Sequence, residues 1–224
     1  MKKYYPLIML FLCFTTCTTK NELKGSQKEV VRDIELTIPV LDKRNELKDH
    51  PSVLRWLRQV SIDSLTELHA AYFPESMTID NFENNKENLE DYFVIYSRKD
   101  DRQIIIEDSD LEEILIIQTE KLKIQRMTIH EAWENIQVDH SFLKPREFLL
   151  LDKYKISDRC QTAIFLMKQF PSQPNYITII VLNLVNIDQQ LIYGAYYLEL
   201  KNKKSITDAR KISDKIIEQL LENN

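Results

Sequence analysis

The chain has 224 residues, 43% of them hydrophobic and 29% charged, with a formal net charge of −5. That is enough apolar material for one core in about one domain. The acidic balance speaks against a nucleic-acid binder, which presents a basic face. Only two glycines occur, Gly25 and Gly194, and there is no GxxxxGK(S/T), GxGxxG or GxSxG motif. Walker-type NTPases, Rossmann dinucleotide enzymes and typical serine hydrolases are thereby disfavoured.

The chain begins MKKYYPLIMLFLCFTTC. Lys2 and Lys3 precede a short apolar run from Leu7 to Phe14, small polar Thr15 and Thr16 follow, and then Cys17. A positive head, a short apolar middle and a small-residue exit describe a secretory signal. The apolar run is too short to span a bilayer, which takes roughly 20 apolar residues. The segment resembles a bacterial lipoprotein signal peptide, in which a box of Leu, small, Ala or Gly, Cys ends in a cysteine that is lipidated and becomes the new N-terminus. Here the box reads Phe14-Thr15-Thr16-Cys17, with Phe for Leu and Thr for Ala or Gly. The resemblance implies a signal peptide over residues 1–16, a lipidated Cys17, and acyl chains holding the rest on a membrane. Without Lys2 and Lys3 the mature part is two units more negative. Residues 18–29, TTKNELKGSQKE, are polar and read as a tether, so residues 17–30 link the anchor to a single domain over 31–224. No acidic run follows Cys17, which favours a periplasm-facing position over surface display.

The domain opens with RDIELTIPV, where Ile34, Leu36, Ile38 and Val40 alternate with polar residues and Pro39 marks an edge strand. Pro51 starts a helix with Val53, Leu54, Trp56, Leu57 and Val60 as its apolar stripe. Ser64-x-x-Glu67 fits a capping box and predicts a second helix that runs to Pro74. Residues 75–90 are polar and predict a loop or short helix. Tyr92–Tyr96 reads as a strand, 98–102 as a charged turn, and Gln103–Ile106 as a returning strand. EEILIIQ (112–118) is ambiguous: its branched residues favour a strand, while Ser109-x-x-Glu112 favours a helix start, and the strand is preferred. Thr128-x-x-Glu131 caps a helix with Ile129, Trp133 and Ile136 near one face.

Four strands follow at 146–154, 160–167, 176–185 and 191–200, joined by short polar connections that favour antiparallel neighbours. In YITIIVLNLV both alternating faces are apolar, so the sheet needs cover on both sides. Ala209, Ile212, Ile216, Ile217, Leu220 and Leu221 recur at helical spacing and predict a closing amphipathic helix from Ser205 or Thr207. The expected class is α+β: an antiparallel sheet with helices packed on it. With ELTIPV at 35–40, paired strands over 160–200 and a helix over 206–222, the body resembles the Mog1/PsbP-like fold. That resemblance implies a fold used for binding partners and bound subunits, with no shared reaction.

Candidate chemistry is sparse. Cys160, the one body cysteine, sits in apolar CQTAIFLM and reads as a buried inert thiol. His130 and Glu134 lie four apart and His140 follows, a trio with metal-ligand chemistry; Glu131, three residues after Thr128, reads instead as a cap. The acidic run Glu107–Glu113 lacks the glycine and ligand spacing of a calcium loop and reads as a solvated turn. His50 and His69 have no partner pattern. Tyr193, Tyr196 and Tyr197 flank Gly194 on both faces of a strand, which makes one of them a candidate contact residue, with burial in the core as the competing reading.

The expectation is a non-enzymatic, lipid-anchored cell-envelope protein with no cofactor, binding a protein partner and no nucleic acid. One alternative is an immunity or inhibitor lipoprotein against a secreted toxin, where an acidic domain suits a basic toxin. The other is a metal-dependent hydrolase using His130, Glu134 and His140.

Overall fold

The computed structural model describes residues 27–31, 34–101, 103–121, 124–139, 142–145, 147–168 and 176–224. Cys17 and His140 lie outside them. Ten strands and five α-helices form in the order β1 (Gln27–Val31), β2 (Ile34–Ile38), β3 (Arg44–Glu46), α1 (Pro51–Val60), β4 (Thr66–Pro74), α2 (Ile79–Asn85), β5 (Asp91–Arg98), α3 (Asp110–Lys121), β6 (Gln125–Arg126), α4 (Ile129–Val138), β7 (Phe148–Ser157), β8 (Cys160–Met167), β9 (Thr178–Ile187), β10 (Gln190–Glu199) and α5 (Lys204–Glu222). β3 to β10 make one eight-stranded sheet in the order β3-β4-β5-β10-β9-β8-β7-β6, and β1 pairs with β2 apart from it. Every pair in the large sheet is antiparallel except β6 with β7. The class is α+β, as the pattern of strands and the closing helix predicts.

The sheet is covered on both faces. On one face Ile179, Val181 and Val185 of β9 pack with Ile206, Ala209, Ile217 and Leu220 of α5 and with Ala132 and Ile136 of α4. On the other, Ile180 and Leu184 pack in the cluster that holds Val53, Trp56 and Leu57 of α1 and Leu111 and Leu115 of α3. Aromatic pairs sit directly across β5 and β10: Tyr92 stacks on Tyr197 at 4.4 Å and Tyr96 on Tyr193 at 5.0 Å, each in register. Such cross-strand pairs fix register as well as adding stability.

Four local readings are corrected. The segment after Ser64 is strand β4, not a helix. Ala70 and Tyr72 face one core cluster and Ala71 and Phe73 the other, and two-sided burial in a central strand outweighs the capping pattern. Gln103–Ile106 forms no strand. EEILIIQ lies in helix α3, where Leu111, Leu115 and Thr119 are buried four residues apart and Ile117 is exposed. The branched residues that suggest a strand fall largely off its packed face. Gln27–Val30, read as tether, belong to β1, which docks through Glu29 on the buried Lys48 ammonium. β2 is held by Asn224, whose side chain accepts from Thr37 N at 2.7 Å and donates to Thr37 O at 2.9 Å.

Candidate functional site: a groove beside the C-terminal helix

Gly194 lets α5 lie close to the sheet. A β-carbon there would come within 2.7 Å of Ile217 Cδ1 and 3.0 Å of Phe93 Cζ. A buried polar node locks the same contact. Asn183 donates to Gly194 O at 3.0 Å and to Ser213 Oγ at 2.8 Å, and accepts from Thr162 Oγ1 at 2.9 Å. Each of these groups is satisfied, which a buried polar cluster requires.

Between α5 and the sheet margin lies a groove of about 1190 Å³. One wall is α5, with Ser205, Asp208, Lys211, Ile212, Lys215, Ile216 and Gln219. The other comes from Leu41–Arg44, the end of β4, the α2 region and Leu89.

The floor is built from three strands. Arg44 of β3 donates to both carboxylate oxygens of Asp91 at the start of β5, at 3.1 and 2.5 Å. The Tyr196 hydroxyl of β10 donates to Asp91 Oδ2, and the Arg44 guanidinium lies 5.7 Å from the Tyr196 ring centroid. The forked geometry makes this a strong charge-assisted pair. Burial alone lowers the Arg44 pKa, but the hydrogen bond and charge of Asp91 outweigh it and the net shift is upward. Burial, then the Asp91 charge, pushes the Tyr196 hydroxyl up, so it remains a neutral donor. The rim is paired as well. Lys201 bridges Glu90 at 2.5 Å and Glu199 at 3.8 Å, and Asp208 holds Lys204 at 2.5 Å.

The residues singled out from sequence fall in several places. Tyr193, Tyr196 and Tyr197 are all buried, so none offers its ring to solvent; burial of bulky rings on both faces of a central strand is what the covered sheet demands. Tyr196 alone lines the groove, through the hydroxyl end. His130 and Glu134 do meet, at 3.2 Å, but both side chains are about two-thirds exposed (67% and 64%), and His130 Nδ1 also faces Lys203 Nζ at 3.5 Å. This is a solvent-exposed side-chain contact on α4, and among the described residues no group of three metal-ligating side chains forms. Glu131 caps α4: it accepts from Thr128 N at 2.9 Å while Thr128 Oγ1 accepts from Glu131 N at 3.2 Å.

Cys160 is buried, and burial raises its thiol to about 12, far from a reactive thiolate. The acidic run enters α3, with Asp110 accepting from Glu107 N at 2.8 Å and Asp108 from Asn186 at 2.7 Å. His69 is buried with Nε2 2.9 Å from Ser97 Oγ. Sequence reasoning missed Arg44 and Asp91, which lie far apart in the chain and in no motif. The available signal was weak: an arginine and an aspartate at strand ends, charges that strand ends commonly carry.

A mostly antiparallel α+β domain with a groove at its closing helix is the class these features define. No protein-family model matches the chain, and no curated protein sequence does. Among solved structures it is similar to the Saccharomyces cerevisiae Ran-binding protein Mog1p and to a point mutant of protein Mog1. Each has 12% sequence identity and a TM-score of 0.37, over 89% of this chain and 92% of the other.

Proposed function

We propose that this protein is a lipid-anchored, non-enzymatic binding module of the bacterial cell envelope. Cys17 holds it on a membrane, facing the periplasm, and a protein partner binds in the groove beside α5. The groove carries this reading. At about 1190 Å³ and open to solvent, it has room for a segment of another protein. Its lining contains carboxylates, lysines, an arginine, a tyrosine and aliphatic side chains, and at its floor and one rim acids and bases are tied to one another, Arg44 with Asp91 and Lys201 with Glu90 and Glu199. Such an arrangement supports recognition rather than proton transfer. The pattern from Lys2 to Cys17 supports the anchor.

The test is a photo-crosslinking amino acid at Ile212, which lines the groove and is 36% exposed, with Val138, 88% exposed and outside the groove, as control. In the native cells, light should join Ile212 but not Val138 to one discrete protein in the membrane fraction. Adducts from Val138 alone, or from neither, would rule out the groove as the binding face.

A further inference from the structure

We infer that the groove takes the membrane-proximal segment of a protein held in the same membrane as this chain. This rests on the reading of the groove as a protein-binding site and of Cys17 as the anchor. Gln27, the first residue of β1, is the register partner of Ile38. Three residues beyond Ile38 comes Leu41, which lines the groove, and three residues of chain cover at most about 11 Å. A second connection runs through α5. Thr37, the register partner of Lys28, makes hydrogen bonds from both its backbone N–H and its carbonyl to the Asn224 side chain. Gln219, five residues before Asn224 and near the end of α5, lines the same groove. Gln27 is exposed, so the chain enters the fold beside the groove.

The opposite end of the sheet lies well away from this entry. β5 runs from Asp91 on the groove floor to Arg98, about 23 Å further on at the rise of a strand. Entry at the Arg98 end would hold the groove on the side of the domain away from the anchor. Entry at Gln27 holds it on the near side. Ten steps of chain separate Cys17 from Gln27, a reach of at most about 36 Å.

The charge of the groove fits the same partner. Five acids and five bases line it, so it has no net formal charge with which to draw a partner from a distance, as a one-sign cleft does. A shared membrane supplies the encounter instead. Tethering gives a high local concentration of the second site, and that concentration falls as the linker outgrows the span.

The experiment uses the full, lipidated chain in its native cells, with the photo-crosslinking residue at Ile212. Between Ser26 and Gln27 it compares no insertion, a Gly-Ser pair, and a helical spacer of about 40 residues that adds about 60 Å. The first two should give the same adduct, to a protein that stays with the membrane through a carbonate wash. The crosslinked peptide should lie next to that protein's own membrane segment. The long spacer should cut the yield by about tenfold or more, with the urea midpoint of the domain unchanged.

An equal yield with the long spacer, or a partner released by carbonate, overturns the inference and leaves the binding-module reading standing. A loss of yield with the Gly-Ser pair as large as with the long spacer overturns it too. No adduct at any length overturns both. A crosslink to a second copy of this chain, or to its own residues 18–26, overturns the inference as well.

Discussion

Gly194 is the residue on which the close approach of α5 to the sheet depends. Its missing side chain lets α5 sit against β10, and Ile217 and Phe93 fill the space a β-carbon would take. Gly194→Ala should overpack this contact and cost about 1–2 kcal/mol, read as a lower urea midpoint with an unchanged slope. Unchanged or greater stability would mean that α5 yields without loss. Asp214, on the same helix, accepts from Tyr154 at 2.6 Å and lies 3.8 Å from Arg210. Burial raises its carboxyl above the ordinary 3.8, against the opposing pull of Tyr154 and Arg210.

A carboxyl raised in the folded state favours folding below the ordinary value and loses that contribution as pH rises through the raised one. Asp214→Asn removes the titration, so its stability should gain on the wild type as pH rises from about 3.8; urea midpoints across that window measure it. The reverse trend would show that Arg210 and Tyr154 outweigh burial. None of this was legible from sequence. Gly194 is one glycine in a tyrosine-rich strand, and Asp214 one acid in an amphipathic helix; their roles exist only once α5 meets the sheet.

At the scale of elements, the last third of the chain was legible because each segment obeys one period. β7 to β10 and α5 show alternation, two-sided apolarity or helical spacing without conflict. β4 and α3 were misread where local and tertiary signals compete. In β4, capping chemistry at Ser64 and Glu67 lost to burial of Ala70–Phe73 between two layers. In α3, branched residues suggested a strand although the buried positions follow helical spacing. β1 was hidden by its polar composition. Its docking combines burial of Val31 in the core with a charge contact: the Glu29 carboxylate meets Lys48 and stands 3.9 Å from His69 Nδ1, and burial lowers the Lys48 ammonium. Glu29→Ala would leave that buried ammonium without its carboxylate, at about 2 kcal/mol. Hydrogen exchange should then show β1 and β2 amides losing protection while β9 amides keep theirs. Uniform loss across the sheet would mean that β1 is integral to the main core rather than a docked strap.

For the whole molecule, the parts divide the work. The sheet and its two helical layers supply a rigid frame. The margin between α5, β3 and β10 supplies a groove whose floor and one rim hold paired charges. The site was not legible because Arg44, Asp91 and Tyr196 are separated by 47 and 105 residues and meet only through strand order. No described helix is long and apolar enough to cross a membrane; the anchoring proposed here rests on Cys17 alone. The most direct measurement is fractionation of cells expressing the wild type and Cys17→Ala, with lipid labelling and the intact mass of each product. The wild type should be cut before Cys17, carry the label and stay with membranes, whereas Cys17→Ala should carry none and accumulate as the uncleaved precursor. An unlabelled wild type, or a variant that retains the label and is processed normally, would contradict the proposed anchoring.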